Sequence, residues 1–332
     1  MMGNRLAAHL KRFLLVYSLL AIALGWWGGV SYAPWVAAHK GTLRTLAQVL
    51  VFLMIYPMMI NLNLELLPRV AREPKPVLLS LAYNYLVTPL LAYLLARVFI
   101  GNPQLALGFF LVMLIPGSSM AVGYTGLAGG SLEVATVAQA LNFLLLPLLL
   151  PLFLTALARN YHLAIPTASL LLTVLWVLIL PMFLGDLTRR GVLRVYGERG
   201  FARLKPWLGS LTMLTMLVLV ALIFLLKGAM LAAKWPLLVP LVAASLIYLA
   251  LILGLATWLD RLLGLNYGEH MGTAFVSSGK NNGTAIAIAV TALSPLVALP
   301  AAVLPLIQIV ALIGYLHMGS LIMGYFGKRA VT

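Results

Sequence analysis

Long apolar runs alternate with short polar connections along the whole chain. A membrane-spanning helix needs about 20 predominantly apolar residues. Ten segments meet this requirement: 13–33, 45–62, 77–100, 105–128, 133–157, 165–187, 207–227, 235–259, 269–292 and 297–325. The first follows Arg5, Lys11 and Arg12 as a signal peptide would, but its apolar run exceeds the usual length of about 7–15 residues. The pattern predicts an all-α polytopic membrane protein with ten transmembrane helices, the first uncleaved.

Composition agrees with this interpretation. Of the 332 residues, 63% are hydrophobic and 9% are charged, whereas soluble domains carry roughly 25% charged residues. The absence of cysteine excludes disulfides, thiolate metal sites and cysteine nucleophiles. The net charge of +15 is spread over short connections, which indicates topology signals beside anionic lipid and not nucleic-acid binding.

The distribution of lysine and arginine predicts the orientation. Fifteen of these residues lie on the side that holds both chain ends, and six lie on the other. Loop 188–206 alone supplies six of the fifteen. Because cytoplasmic loops carry the excess of basic residues, we expect both termini in the cytoplasm and the protein in the cell (inner) membrane.

The same basic loop divides the chain. We expect residues 1–187 to hold the N-terminal segment, the first five-helix repeat and span 6 (165–187), which begins the second repeat. Residues 188–206 are predicted as a basic cytoplasmic loop, and 207–332 as spans 7–10 with the C-terminal tail. Five is odd, so the second set of helices is inverted relative to the first, as is common in secondary transporters.

Spans 4 and 9 hold equivalent places in the two repeats, and both are interrupted by helix-breaking residues. The predicted breaks are at Pro116, Gly117, Gly279 and Gly283. Paired interruptions of this kind point to a transporter's binding site. Gln139 and Asn142 lie three apart on one face of span 5, where they can line the same cavity. The candidate substrate- and ion-binding residues are Ser118, Ser119, Tyr124, Thr125, Gln139, Asn142, Ser277, Ser278, Lys280, Asn281 and Asn282.

At these stretches the chain resembles the bile acid:sodium symporter superfamily, whose ten-span plan has unwound, crossing spans 4 and 9. "MIYPMMINLNLELLPRVAREPKPVLLSLAYNYLVTPLLAYLLARVF" (54–99) and "KNNGTAIAIAV" (280–290) are most similar to the arsenite permease branch. The resemblance implies a secondary transporter and not an enzyme, with no cofactor and no metal. Its partners would be a small-molecule solute, protons as a candidate coupling ion and membrane lipids, in a monomer or weak dimer.

Departures from the family pattern qualify this expectation. Arsenite permeases usually carry a cysteine directly after the span 4 proline, where this chain has Gly117. A thiolate site for arsenite is therefore excluded, although passage of neutral arsenous acid between hydroxyl groups is not. The oxygen ligands of the bile acid branch's sodium site align with Ala121, Val122 and Val276, and its glutamine aligns with Lys280.

Lys280 is the most unusual residue in this pattern. The seven acidic residues all lie near span ends, so none is expected beside its ammonium group. We expect this group to replace the sodium charge in a sodium-independent carrier of a small anionic or neutral solute, such as an organic anion or a metalloid oxyacid. Such a lysine releases a proton during transport, attracts an anion in a uniporter, or stays permanently bound to carbonyl groups. An arsenite or antimonite efflux permease with a non-thiol site is the alternative, and a lipid-modifying enzyme is disfavoured because no paired carboxylates lie within the spans.

Overall fold

The computed structural model describes residues 2–71, 74–160, 167–233 and 235–327, and within these ranges it is almost entirely helical and contains no strand. Four of the basic residues counted for the orientation lie outside this part: Arg72, Lys234, Lys328 and Arg329. The α-helices are α1 Met2–Arg12, α2 Leu14–Ser31, α3 Ala33–Ala38, α4 Lys40–Asn61, α5 Pro74–Ala82, α6 Thr88–Phe99, α7 Pro103–Leu114, α8 Ser119–Leu127, α9 Leu132–Asn160, α10 Thr167–Val174, α11 Leu180–Ala233, α12 Leu238–Leu262, α13 Tyr267–Ser278, α14 Asn282–Ile288, α15 Leu299–His317 and α16 Gly319–Phe326.

Short segments of other helix types connect some of these elements. Leu64–Ala71 and Trp235–Leu237 are 3₁₀ helices. The π-helical segments are Tyr83–Val87 between α5 and α6, Leu175–Ile179 between α10 and α11, and Ala289–Leu293 after α14. π-Helical turns often occur at functional sites because they shift the side chains that follow around the helix.

Seven helical stretches in the described part are long and apolar enough to cross a membrane. They are Leu14–Ser31, Lys40–Leu66, Pro74–Phe99, Leu132–Asn160, Leu170–Ala233, Trp235–Leu262 and Leu299–His317. Shorter apolar helices occupy Pro103–Leu114 and Asn282–Leu293. The chain is therefore a multi-pass integral membrane protein.

Residues 188–206, expected as a loop, are helical on both sides of one residue. Gly197 interrupts α11 with φ 63° and ψ −175°, a backbone conformation that glycine adopts because it has no Cβ. Arginine, lysine, glutamate and leucine favour helix, so a charged connection between two spans is as compatible with an exposed helix as with a loop. Charge density alone does not distinguish these two outcomes.

The chain forms two compact units that each take segments from both halves of the sequence. Unit 1 comprises the described parts of residues 1–63, 162–239 and 283–306, and unit 2 those of 64–161, 240–282 and 307–332. All of the expected binding residues fall in unit 2.

Small residues allow the helices of unit 1 to approach closely. α2 and α11 pack together, and a Cβ on Gly29 would lie 2.4 Å from the Leu225 carbonyl oxygen and 2.9 Å from the Gly228 Cα. A Cβ on Gly25 would lie 2.2 Å from the Ala221 carbonyl oxygen. Close backbone contact through small residues is a usual way to pack helices in membranes, where dispersion and not the hydrophobic effect holds them together.

In unit 2, α13 is enclosed by protein on nearly every side. Eleven of its residues are buried, from Tyr267 to Ser278. A capping box fixes where it begins: the Asn266 side chain accepts a hydrogen bond from the Glu269 N–H at 2.9 Å, and Glu269 accepts one from the Asn266 N–H at 2.8 Å. The start of α13 is thus held by local chemistry, independently of the interruption that follows Ser278.

The close contact between α2 and α11 makes a testable prediction. Gly29→Ala places a methyl group against backbone atoms that cannot rotate away, so the two helices must separate. We expect the melting temperature of the purified protein in detergent to fall by several degrees, measured by intrinsic fluorescence.

Gly41→Ala is the matched control, because a Cβ on exposed Gly41 meets no atom within 4 Å. Alanine is a better helix former than glycine by about 1 kcal/mol, so this variant should melt at the wild-type temperature or slightly above it. Equal melting temperatures for the two variants would contradict the close packing.

Candidate functional site

The two interruptions lie where the sequence places them. α7 ends at Leu114 and α8 begins at Ser119, while α13 ends at Ser278 and α14 begins at Asn282. The Ser118 side chain accepts a hydrogen bond from the Met120 N–H at 3.3 Å, so it forms the N-cap of α8. Each span is therefore divided into two shorter helices joined by extended backbone.

The two unwound stretches hydrogen-bond to each other. The Gly117 N–H donates to the Val276 carbonyl at 2.9 Å, and the Ser118 N–H donates to the Gly279 carbonyl at 3.2 Å. The Asn281 N–H donates to the Pro116 carbonyl at 3.2 Å, so that Gly117 and Lys280 face each other as an antiparallel bridge. Backbone groups freed from the helix ladders thus find partners inside the protein, as non-helical backbone at membrane depth requires.

Glycine is needed at this contact because there is no space for a side chain. A Cβ on Gly117 would lie 2.6 Å from the Val276 carbonyl oxygen, and one on Gly279 would lie 2.8 Å from the Phe275 carbonyl oxygen. Gly279 has φ −81° and ψ 64°, so its backbone does not occupy the left-handed region. The requirement is close approach of two backbones and not an unusual φ.

Lys280 extends from this bridge into the interior of unit 2. Its side chain is 1% exposed, and its Nζ donates a hydrogen bond of 2.8 Å to the Oδ1 of Asn84, which is fully buried. The Nζ also lies 5.7 Å from the centre of the Tyr248 ring, at the outer limit of a cation–π contact. Among the described residues, no carboxylate forms an ion pair with Lys280.

Asn84 is oriented by its own backbone environment. It lies in the π-helical segment Tyr83–Val87, and its Nδ2 donates to the Ser80 carbonyl at 3.0 Å. With the amide nitrogen engaged in this way, the amide oxygen points at the ammonium group. The Ser80 hydroxyl accepts a hydrogen bond of 3.2 Å from Asn142 Nδ2, which extends the polar contacts from Lys280 to α9.

Four buried side-chain oxygens of unit 2 lack a hydrogen-bond partner among the described residues. They are Asn142 Oδ1, Ser277 Oγ, Asn282 Oδ1 and Gln308 Oε1. The Nδ2 of Asn282 and the Nε2 of Gln308 both donate to the Lys280 carbonyl, at 3.4 Å and 3.2 Å. A buried oxygen without a partner costs about 1–3 kcal/mol, so the oxygens of Asn282 and Gln308, whose nitrogens share the Lys280 carbonyl, indicate a place where a bound molecule or water completes the hydrogen bonds.

The other expected residues have more local roles. The Ser278 hydroxyl donates to the Ala274 carbonyl at 2.6 Å, and the Thr125 hydroxyl donates to the Ala121 carbonyl at 3.1 Å. Tyr124 stacks on Phe275, Gln139 is half-buried, and Asn281 is buried with its N–H in the bridge. Pro116 lies within the first interruption. The prediction of a break at Gly283 is wrong, because Gly283 is the second residue of α14 and helical there. The side chain of Ser119 lies outside the described part.

Asn84, Tyr248 and Gln308 are not among the candidate residues predicted from the sequence, although the structure brings all three to Lys280. The only available signal was that Asn84 and Gln308 are polar residues within apolar spans. Nothing in the sequence indicated that Tyr248 lies near Lys280, because a tyrosine within an apolar span is common.

The three positions aligned with the sodium ligands of the bile acid branch hold apolar side chains, of which Val122 is half-buried and the other two are packed into the interior. Ala121 is 1% exposed and Val276 is fully buried. Neither side chain supplies an oxygen, and the Val276 carbonyl is already engaged by Gly117. A hard cation such as sodium needs several oxygen ligands, which these side chains do not provide.

Comparison with known proteins identifies the family. The model of the Sodium Bile acid symporter family matches residues 48–234, more than half of the chain. The chain belongs to this family. Because its members are transporters, the protein is a membrane transporter that handles a small-molecule solute and is not an enzyme.

Individual relatives are distant. An uncharacterized transporter of Synechocystis sp. is 26% identical over 266 residues, 73% of this chain and 69% of the relative. The arsenical-resistance protein Acr3 of Corynebacterium glutamicum is 22% identical over 327 residues, 93% of this chain and 88% of the relative. The uncharacterized sodium-dependent transporter YocS of Bacillus subtilis is 23% identical over 283 residues, 83% of this chain and 81% of the relative.

The contact between Lys280 and Asn84 makes a testable prediction. Asn84→Leu leaves a buried ammonium group without its acceptor, and loss of a hydrogen bond to a charged group costs about 1.5–3 kcal/mol. We expect the melting temperature to fall. Lys280→Met removes the desolvation cost of the charge, which exceeds the cost of leaving one neutral amide oxygen unpaired, so the melting temperature should rise.

The double variant distinguishes this account from general disruption of the core. If Asn84 acts through the ammonium group, Asn84→Leu should cost much less in the Lys280→Met background than in wild type. Gln104→Leu, at an exposed amide, controls for the change in side-chain type. Additive losses in the double variant would mean that the two residues are energetically independent.

Proposed function

We propose that this protein is a sodium-independent secondary transporter of a small anionic or neutral solute, working by alternating access. In this proposal the Lys280 ammonium group takes the place of the sodium charge. The observation that carries it is a buried lysine at the bridge between two interrupted helices, with an amide oxygen as its acceptor and no carboxylate partner in the described part.

The chemistry around Lys280 favours a solute that both accepts and donates hydrogen bonds. An ammonium group donates, so it pairs with a negative or partly negative oxygen of the solute. The four unpartnered oxygens of Asn142, Ser277, Asn282 and Gln308 need donors, which solute hydroxyl groups supply. A hydroxylated organic anion or a metalloid oxyacid offers both kinds of group on one small molecule.

Efflux of arsenite or antimonite is the second candidate. It is supported by two Acr3 relatives whose name describes arsenical resistance, one of which aligns with 93% of this chain. Because the chain has no cysteine, arsenic would have to pass as the neutral oxyacid, held through its hydroxyl groups and not through sulfur. The unpartnered oxygens suit that form of the solute.

The proposal includes ten spans in two inverted five-helix repeats, with interrupted spans 4 and 9 crossing. In its support, the seven long apolar stretches and the two shorter apolar helices overlap all ten apolar segments of the sequence, with Leu170–Ala233 covering two of them. Both termini would face the cytoplasm of a cell with the protein in its inner membrane. Membrane lipids would surround a monomer or weak dimer.

Independence from sodium is the first prediction of this proposal. Purified protein is first screened for a rise in melting temperature with arsenite, antimonite, monocarboxylates and bile-acid-like anions. Uptake of the most stabilising solute into proteoliposomes should then be the same in sodium, potassium or choline, because Ala121 and Val276 offer no side-chain oxygen for an ion. The B. subtilis relative YocS, which is named as a sodium-dependent transporter, is a suitable family comparison.

A stoichiometric requirement for sodium would contradict the proposal and would place an ion site elsewhere in the chain.

Saturable exchange distinguishes a carrier from a channel, since flux that fails to saturate and proceeds at channel rates indicates an open pore.

The charge of Lys280 is the second prediction. Lys280→Gln keeps a polar side chain but supplies no charge, so we expect at least a tenfold loss of uptake and no response to pH. Lys280→Arg keeps the charge permanently, because a guanidinium group does not lose its proton in proteins. It should bind the solute yet fail to complete a proton-coupled cycle, whereas a uniporter would continue to work.

The readouts are solute binding by thermal shift and flux in proteoliposomes between about pH 5.5 and 8.5. A Lys280→Met protein that is stable and transports like wild type would leave Lys280 without a role in transport.

A further inference from the structure

A second buried polar cluster lies in unit 2, at the other end of α13. Asp260, in the last turn of α12, is fully buried. Its Oδ1 accepts a hydrogen bond of 2.5 Å from the Tyr83 hydroxyl, and its Oδ2 lies 2.7 Å from both the Thr273 hydroxyl and the His270 Nδ1. On the far side of the His270 ring, Nε2 lies 2.7 Å from the Tyr315 hydroxyl.

These contacts define the Asp–His cluster: Tyr83, Thr257, Asp260, His270, Thr273 and Tyr315. The Tyr315 hydroxyl continues to Thr257 Oγ1 at 2.6 Å, and both ring nitrogens of the imidazole have a partner. From the sequence, Asp260 and His270 are charged residues near the ends of spans. The structure instead buries both completely.

Other titratable groups on the surrounding elements are engaged elsewhere. The Arg261 guanidinium lies over the Tyr325 ring, 3.8 Å from its centre, and the Lys75 ammonium donates to the Leu263 carbonyl. Glu269 belongs to the capping box, and the Tyr267 hydroxyl donates to the Ala128 carbonyl. In the described part of the chain, His270 is therefore the basic partner of Asp260.

The buried charges of unit 2 are few. Among its described side chains, those that are both ionisable as Asp, Glu, His, Lys or Arg and buried are Asp260, His270 and Lys280. Buried charges are expensive when unbalanced. With Asp260 ionised, the net charge of these three groups is zero when either the Lys280 amine or the His270 ring carries an additional proton, but not both.

Polar residues of α13 lie between the two groups, although no hydrogen bond connects Ser277 to Thr273 or to Lys280 among the described residues. His270, Thr273, Ser277 and Lys280 follow at intervals of three, four and three residues, which places the first three on one helix face and Lys280 just beyond the helix end. Ten residues of helix span about 15 Å. Ser277 lies between Thr273 and Lys280 with its hydroxyl buried and unpartnered, and a hydroxyl group both donates and accepts hydrogen bonds.

We propose that the Asp260–His270 pair is a proton-binding site of this transporter. The pair binds a proton when the amine of Lys280 is neutral and releases it when the amine is charged. The inference rests on the proposed function in that Lys280 changes its charge during transport. It names the proton as the coupling ion and His270 as the second place where that proton resides.

The proton exchange is balanced at both ends. One N–H bond of the Lys280 ammonium breaks, and one N–H bond forms at His270 Nε2. Because Nε2 faces Tyr315 and not Thr273, the two events are linked through the buried charge and not through a continuous hydrogen-bonded path along α13. Before the transfer, Nδ1–H donates to Asp260 and Nε2 accepts from Tyr315. Afterwards, Nε2–H donates to the Tyr315 hydroxyl, which turns its own proton toward Thr257 Oγ1. The summed charge of Asp260, His270 and Lys280 stays the same.

The probe for this site is the proton itself, so no solute is needed. Full-length protein with ¹⁵N-labelled histidine is placed in lipid nanodiscs, and the ring nitrogen signals are followed by NMR from about pH 5 to 9. His270→Gln assigns the His270 signals, and His317→Gln is the matched control, since His317 contacts the Ile313 carbonyl on an exposed surface.

If the site binds the proton that balances Asp260, the His270 signals should respond to pH. Lys280→Met should move this response to higher pH, because a competing positive charge is gone. Lys280→Arg, which cannot release its proton, should shift it to lower pH. Tyr315→Phe keeps the packing but removes the acceptor for Nε2–H, so it should also lower the midpoint.

A His270 ring that stays in one protonation state across the range in every variant, or a midpoint that ignores both Lys280 substitutions, would overturn the proton site. Wild-type transport by Lys280→Met, or a sodium requirement, would instead overturn the proposed function. The two failures are therefore separate. If Tyr315→Phe does not fold, the opposite shifts in the two Lys280 variants remain a sufficient test.

Discussion

Backbone hydrogen bonding inside a lipid environment is the constraint on which the rest of the site depends. Two helices stop within the part of the chain that the sequence assigns to the membrane, and lipid offers no partner for the groups they release. Gly117, Ser118 and Asn281 solve this by donating across the gap to carbonyls of the opposite stretch. Each interruption satisfies the other, so neither unwound segment is stable alone.

The position of Lys280 follows from that bridge. Its backbone is held opposite Gly117, which fixes where the side chain leaves the main chain. Burial then leaves the ammonium group with Asn84 as its acceptor, and Asn84 is held in turn by the Ser80 carbonyl. A lysine elsewhere on an apolar helix would extend toward the membrane surface, but this one starts too deep in unit 2 and is enclosed on all sides.

Hydropathy was sufficient to locate the seven long apolar helices, and helix-breaking residues located both interruptions apart from Gly283, because these are local properties of the chain. They did not identify Asn84, which is 196 residues from Lys280 and is brought to it only by tertiary packing. Nor did they reveal the contact of Asp260 with His270, since charged residues at span ends usually face water. The helical course of 188–206 was missed because basic residues suit a helix as well as a loop.

A charge carried by a side chain differs from a charge carried by sodium in one respect: it cannot leave. A sodium ion dissociates after the solute has crossed, which resets the binding site.

A fixed ammonium group must instead be neutralised, either by a new solute molecule or by loss of its proton. The first route gives an exchanger or uniporter and the second gives proton coupling. The second route needs another group that takes up a proton, because the loss of one buried positive charge leaves the Asp260 carboxylate unbalanced. His270 lies in the same unit as Lys280, so that a proton bound there keeps the total buried charge unchanged.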